Sequence, residues 1–233
     1  MANLITLARF CLLFLLIGMA YRAPAPWQLL DAPLVIFIIA LDGLDGYVAR
    51  RRGETSVFGS IFDIAVDRAV ENVLWIVLGD LGLIPMWVAI VFVCRGAIVD
   101  TIRYAVMSGD ATPFGIMHSP LGKMLVASRA MRGIYGGVKT ATFAWVLLLQ
   151  PLQMLAAAWW QRWSDVGNAV TSGLIGASVA LCLLRGMPVV VEFVLDQRII
   201  RPRGPAPLRP EVAAPDTNTT ADVIATTDSQ RLP

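Results

Sequence analysis

Apolar residues along this chain fall into six blocks, at approximately 3–21, 30–50, 57–79, 83–106, 137–160 and 169–196. Each is close to the roughly 20 mostly apolar residues that a helix needs to cross a bilayer. None shows the short alternating pattern of a half-buried strand. Polar or Pro-containing breaks separate the blocks: "RAPAPWQ", "RRGETS", "GDLG", the long "SGDATPFGIMHSPLGK" and "QRWSDVGN". The pattern predicts an all-α polytopic membrane protein with six transmembrane helices, and no internal repeat is visible.

Composition agrees with the pattern. Of the 233 residues, 57% are hydrophobic and 15% charged, and mean hydropathy is +0.66, values a soluble domain rarely combines. The first block ends in "GMAYRA", which resembles a cleavage site, but Arg9 interrupts the apolar segment instead of preceding it, so an uncleaved first helix is expected. From Arg201 the chain turns rich in Pro, Ala, Thr and Asp. The expected division is a membrane domain over 1–200 and a disordered tail over 201–233, too poor in large apolar residues to fold alone.

The positions of the charges say more than their sum. A net charge of +2 gives no reason to expect nucleic acid as a partner. Arg50, Arg51 and Arg52 follow the second block, Lys123, Arg129, Arg132 and Lys139 lie between the fourth and fifth, and Arg198, Arg201, Arg203 and Arg209 follow the sixth; the other side has little beyond Arg22 and Arg162. The positive-inside rule then places both termini in the cytoplasm, together with the end of the second and third helices that is rich in aspartate. Cys11, Cys94 and Cys182 all lie in apolar runs and are expected to be small buried hydrophobes without a disulfide framework.

The unusual stretch runs from Asp42 to Glu71. Asp42 and Asp45 are one helical turn apart, with Gly46 and Ala49 continuing their stripe, while Gly59, Asp63, Asp67 and Glu71 recur at intervals of four. A short connection predicts that the two helices pair antiparallel with these acidic faces together. An ionised Asp at the centre of a spanning helix costs about 2.5–3.5 kcal/mol, and clustered carboxylates repel. Mg²⁺ or Mn²⁺, two ions shared among several oxygens, would resolve the conflict and form a clamp for displacement at phosphorus. The glycines would let a phosphate or nucleotide approach the helix. Helix capping or exposure to headgroup water would explain any one aspartate, and an ion transporter with a carboxylate pathway would explain the set.

The spacing Asp42-x2-Asp45-Gly46-x2-Ala49-Arg50-x8-Gly59-x3-Asp63-x3-Asp67 resembles the signature of the CDP-alcohol phosphatidyltransferase family. The six-helix plan is similar to that family over roughly 1–200. The resemblance implies an enzyme of phospholipid synthesis that moves a phosphatidyl group from CDP-diacylglycerol to a small alcohol and releases CMP. Residue by residue, it implies that Asp42, Asp45, Asp63 and Asp67 hold two divalent ions. Asp67 would also act as the base, and Gly46, Ala49, Arg50 and Gly59 would line the CDP site. It further implies an inner-membrane location, a cytoplasmic active site and a homodimer. A scaffold that kept the fold but lost turnover is disfavoured, because every residue of the signature is present.

A phosphorylated acceptor needs cations, and Arg95, Arg103 and Lys139 are the candidates, with Arg129 and Arg132 equally well explained as topological anchors. "NLITLAR" (Asn3–Arg9) and "GGVKTATF", with Gly136, Lys139 and Thr140, resemble phosphatidylglycerophosphate synthases, which use glycerol 3-phosphate. Gly137, Phe143 and Ile64 depart from that pattern, leaving phosphatidylinositol phosphate synthase, with inositol phosphate as acceptor, as the alternative. Arg68 could reach the acceptor or snorkel beside Glu71, which itself reads as a structural partner. His118, in a loop, is given no role.

Overall fold

A computed structural model describes residues 2–52, 57–107 and 128–195. Among them every regular element is helical: α1 (Ala2–Arg22), α2 (Ala25–Gln28), α3 (Asp31–Arg52), α4 (Val57–Asp80), α5 (Met86–Met107), α6 (Arg129–Leu155) and α7 (Ala157–Leu195). The six long helices pack in a closed ring, each touching the next in the order α1, α3, α6, α7, α5, α4 and back to α1. The expected tail, 201–233, and His118 and Lys123 lie outside the described residues.

Three stretches are long and apolar enough to cross a membrane by length and composition: Leu4–Arg22, Ala25–Gly43 and Ala157–Val194. The chain is an all-α membrane protein. Helices α4, α5 and α6 have 24, 22 and 27 residues, enough to span by length. Their apolar windows are interrupted by Asp63, Asp67, Arg68, Glu71, Arg95, Asp100, Arg103 and Lys139, the residues that build the polar centre described below. Many large apolar side chains face outward. Phe14, Leu15, Ile36, Phe37, Ile64, Ile90 and Trp87 all point outward, as lipid contact requires and water would penalise.

Inside the ring, Trp75 of α4 is fully buried. It stacks on Phe92 of α5 with ring centroids 4.0 Å apart and meets Phe143 of α6 at 4.6 Å. Three helices therefore converge on one indole. Trp75→Ala is expected to cost about 3–5 kcal/mol, read as a lower thermal midpoint in detergent. Between α6 and α7 the contact is polar: the Thr142 and Ser178 hydroxyls, both buried, lie 2.9 Å apart, and the Trp145 indole donates to Thr171 Oγ1 at 3.0 Å. Such bonds bind helices where hydrophobicity gives no preference for protein over lipid.

The chain turns between helices with identifiable chemistry. Pro24 cannot donate the backbone bond that the Ala20 carbonyl would otherwise accept. Two glutamines replace it: Gln28 Nε2 and Gln150 Nε2 donate to that oxygen at 3.1 and 3.2 Å. After α4, Gly82 adopts φ 69°. The Leu83 amide bonds to the Leu78 carbonyl at 3.0 Å and the Gly82 amide to Gly79 at 3.1 Å, a glycine-terminated cap that reverses the chain.

Three expectations need correction. "RAPAPWQ" is not only a break, since it contains the single-turn α2. "QRWSDVGN" does not separate the last two helices; it lies within α7, a continuous 39-residue helix. The interruption falls at Ala156 (φ −128°, ψ 49°), five residues after Pro151. Polar side chains end an apolar window without ending a helix, and this stretch has no proline to break one. At ~1.5 Å per residue, α7 exceeds the ~30 Å hydrocarbon core. Finally, only Cys182 is buried; Cys11 and Cys94 are exposed on the bundle's outer surface, because an apolar residue of a membrane helix can face lipid as readily as protein. All three are free thiols.

Candidate active site

A cavity of about 420 Å³ opens within the ring, lined by α1, α3, α4, α5, α6 and α7. One wall is acidic, and α1 assembles it. Arg9, only 1% exposed, donates from Nη1 to Asp42 of α3 at 2.5 Å, and its guanidinium lies 3.5 Å from Asp63 and 3.4 Å from Asp67 of α4. Among the described residues, the expected antiparallel pairing of α3 on α4 is not seen: α3 packs chiefly on α1 and α6 and α4 on α5 and α1, and Asp42, Asp63 and Asp67 come together through Arg9 instead. Helix α1 packs on both α3 and α4 and supplies the cation between them.

Asp42 and Asp67 line the cavity. Asp63 joins them through Arg9, and Gly59 lies one turn before it on α4. Asp45, Gly46, Ala49 and Arg50 fall on α3, but their side chains lie outside the described residues. Among the described residues, no group of three or more His, Cys, Asp or Glu side chains stands close enough to hold a metal ion in this arrangement. Three carboxylates within reach of one guanidinium are nonetheless hard oxygen donors of the kind that Mg²⁺ and Mn²⁺ take. In donor chemistry the residues fit such an ion.

Behind this wall runs a charged strut. Arg68 of α4 grips Asp100 of α5 with two bonds, Nε to Oδ2 at 2.8 Å and Nη2 to Oδ1 at 3.1 Å, and approaches Glu71 at 3.5 Å. Glu71 in turn accepts from Lys139 Nζ of α6 at 2.7 Å. The strut ties α4 to α5 and α6, so Arg68 has a strong partner besides Glu71. Glu71 is the structural partner that the sequence suggested.

A second group of lining residues is basic. Arg95 and Arg103 of α5, Arg132 of α6 and Arg185 of α7 line the cavity. Among the described residues, none of the four has a carboxylate within ion-pair distance, and the Nε atoms of Arg95 and Arg185 are buried without a hydrogen-bond partner. Tyr135 lies between the cations: Lys139 Nζ is 4.4 Å and the Arg185 guanidinium 5.0 Å from its ring centroid. Arg95 crosses to α7 because Gly186 gives it room. A Cβ at Gly186 would stand 2.7 Å from Arg95 Nε and 3.0 Å from its Cγ.

The structure thus brings Asp42, Asp67, Arg95, Arg103 and Lys139 to one cavity, as the sequence expected. It places Arg132, which the sequence left open, at the same cavity, and it adds Arg9, Tyr135 and Arg185. Arg9 carried a signal, being a charge inside an apolar run and the end of "NLITLAR". Arg132 was read evenly as a substrate contact or a topological anchor, and the side chain of its neighbour Arg129 lies outside the described residues. Arg185 carried the same kind of signal as Arg9, a charge inside an apolar run, whereas Tyr135 had none, because only the packing of α6 turns it toward the cavity.

Known proteins bear on this arrangement. The chain is 33% identical over 116 residues to the CDP-diacylglycerol–glycerol-3-phosphate 3-phosphatidyltransferase of Bacillus subtilis (strain 168), a match covering 43% of this chain and 58% of that relative. It is 35% identical over 107 residues to the protein of the same name from Pseudomonas fluorescens, covering 43% of this chain and 53% of the relative. The matched region thus spans little more than half the length of either relative. The family match is far broader, extending over residues 1–195, and by it this chain belongs to the CDP-alcohol phosphatidyltransferase family.

Proposed function

We propose that this protein transfers the phosphatidyl group of CDP-diacylglycerol to glycerol 3-phosphate and releases CMP at the cytoplasmic face of the inner membrane. All six long helices span the bilayer in this reading, both termini are cytoplasmic, and the working unit is a homodimer. The observation that carries the acceptor is the basic wall: four guanidiniums without carboxylate partners among the described residues face the cavity that also holds Asp42 and Asp67. A diphosphate lipid alone does not account for so much unpaired positive charge in one cavity, whereas a second, phosphorylated substrate does. The names of the relatives point to the same acceptor.

The chain's residues divide the work by position. Asp42, Asp45, Asp63 and Asp67 would hold two divalent ions, which when bound neutralise the diphosphate and the departing CMP. Gly46, Ala49, Arg50 and Gly59 would receive the cytidine diphosphate. Arg95, Arg103, Arg132 and Arg185 would hold the acceptor's phosphate and aim its hydroxyl at the phosphatidyl phosphorus. Asp67 would take the hydroxyl proton as the new P–O bond forms and the bond to CMP breaks. The Arg68–Asp100 and Glu71–Lys139 pairs tie α4 to α5 and α6 around the cavity.

Inositol phosphate is the second reading. Phe143 stands where the glycerol 3-phosphate pattern has a glutamine, and it is buried against Trp75 while lining the cavity, so it offers the acceptor no hydrogen bond. CMP release from CDP-diacylglycerol with Mg²⁺ or Mn²⁺, measured separately with glycerol 3-phosphate and with inositol phosphate, decides between them. Turnover with inositol phosphate alone overturns the first reading, and turnover with neither overturns both. An ion transporter would instead move metal or protons across sealed vesicles without CDP-diacylglycerol.

Gly186 offers a milder test of the acceptor wall. Gly186→Ala is expected to displace Arg95 and raise KM for the phosphorylated acceptor about tenfold, the loss of roughly one charged hydrogen bond. The KM for CDP-diacylglycerol should stay within about twofold in the same assay.

A further inference from the structure

Arg9 stands apart from the acidic signature, on a different helix, yet its guanidinium is the group around which Asp42, Asp63 and Asp67 gather, at 2.5, 3.5 and 3.4 Å. We propose that Arg9 is a built-in counter-cation that competes with divalent metal for these carboxylates, so that loading the site exchanges one positive group for another. The proposal rests on the metal-dependent reading above.

Three observations support the exchange. A guanidinium does not lose its proton in a protein, so it cannot leave the cluster by becoming neutral. It is almost wholly buried, and carboxylates of both α3 and α4 are spread around it. To grip a metal ion the same oxygens must turn toward it, and a cation within about 4 Å of a divalent ion in a low-dielectric site repels it strongly. Arg9 also lines the cavity, which gives its head group space to move into and, in the presence of an anionic substrate, something to meet there. The rival role is that of a positioning residue that holds the carboxylates ready for metal. The two roles predict opposite signs.

The test is Mn²⁺ binding to the full chain in detergent micelles without lipid substrate, followed by the electron paramagnetic resonance signal of free Mn²⁺. Arg9→Gln is expected to bind Mn²⁺ about tenfold more tightly than wild type. It should also show a lower thermal midpoint in EDTA and a larger rise on adding Mn²⁺. Arg9→Lys keeps the charge but can reach fewer carboxylates at once, and is expected to gain about threefold. Unchanged or weaker Mn²⁺ affinity in Arg9→Gln overturns the proposal. If Arg9→Gln does not fold, Arg9→Lys decides by the same criterion. Failure of the underlying metal reading is a separate outcome: wild type would bind no Mn²⁺, or Asp42→Asn would leave binding untouched.

Discussion

Asp67→Asn is expected to insert and fold normally while CMP release falls about a thousandfold or more, the loss of a general base in a site where the same group also binds metal. Asn has the size of Asp and retains one acceptor oxygen, so packing around α4 is preserved. Arg9 loses a partner at 3.4 Å but keeps Asp42 at 2.5 Å, which spares the bundle the full cost of an unpaired buried charge. What disappears is the negative charge on the side chain that faces the cavity from α4. Glu71→Gln is the informative comparison, since Glu71 also lines the cavity from α4 and is also acidic. Its carboxylate is engaged by Lys139 at 2.7 Å and by Arg68 at 3.5 Å, so its loss should loosen the strut and lower the thermal midpoint more than it lowers turnover. Near-wild-type turnover by purified Asp67→Asn would remove Asp67 from the role of base.

The helices were legible because long apolar runs mark membrane helices, and because loops such as "GDLG" carry residues that end helices chemically. The end of the fifth helix was not legible. Polarity marked "QRWSDVGN", whereas the backbone broke earlier, after Pro151. The acidic wall was readable since its residues are close in sequence and their spacing translates directly into a helical face. The basic wall gathers Arg95 and Arg103 from α5, Arg132 from α6 and Arg185 from α7, across up to 90 positions of chain. No local period links Arg185 to Arg95; the absent side chain at Gly186 does, and that relation exists only after α5 and α7 pack. Lys139 shows the converse limit. The sequence presented it as a free cation, and the fold pairs it with Glu71.

Arg185→Gln is expected to lower kcat/KM for glycerol 3-phosphate about tenfold to a hundredfold, the worth of one charge-assisted hydrogen bond at roughly 1.5–3 kcal/mol. Most of the loss should appear in the KM for the acceptor, with the KM for CDP-diacylglycerol little changed. Arg185 is the sharper choice among the four arginines because it is buried, and its Nε has no hydrogen-bond partner. It leans on the Tyr135 ring at 5.0 Å, with no carboxylate of the described residues at ion-pair distance. A charge held that way in a protein interior is costly unless an anion arrives, so removing it should leave the substrate-free protein as stable as before or more so. That pairing of effects separates substrate binding from scaffolding. A residue that merely braces α7 against α6 would, when changed, lower the thermal midpoint and affect both substrates alike. The same variant also tests which acceptor is read. If Arg185 meets the phosphate that glycerol 3-phosphate and inositol phosphate share, the penalty is equal for whichever acceptor the enzyme uses and falls away with an unphosphorylated alcohol. If acceptor KM is unmoved while the midpoint drops, the basic wall is structural, and the phosphate site must be sought elsewhere in the cavity.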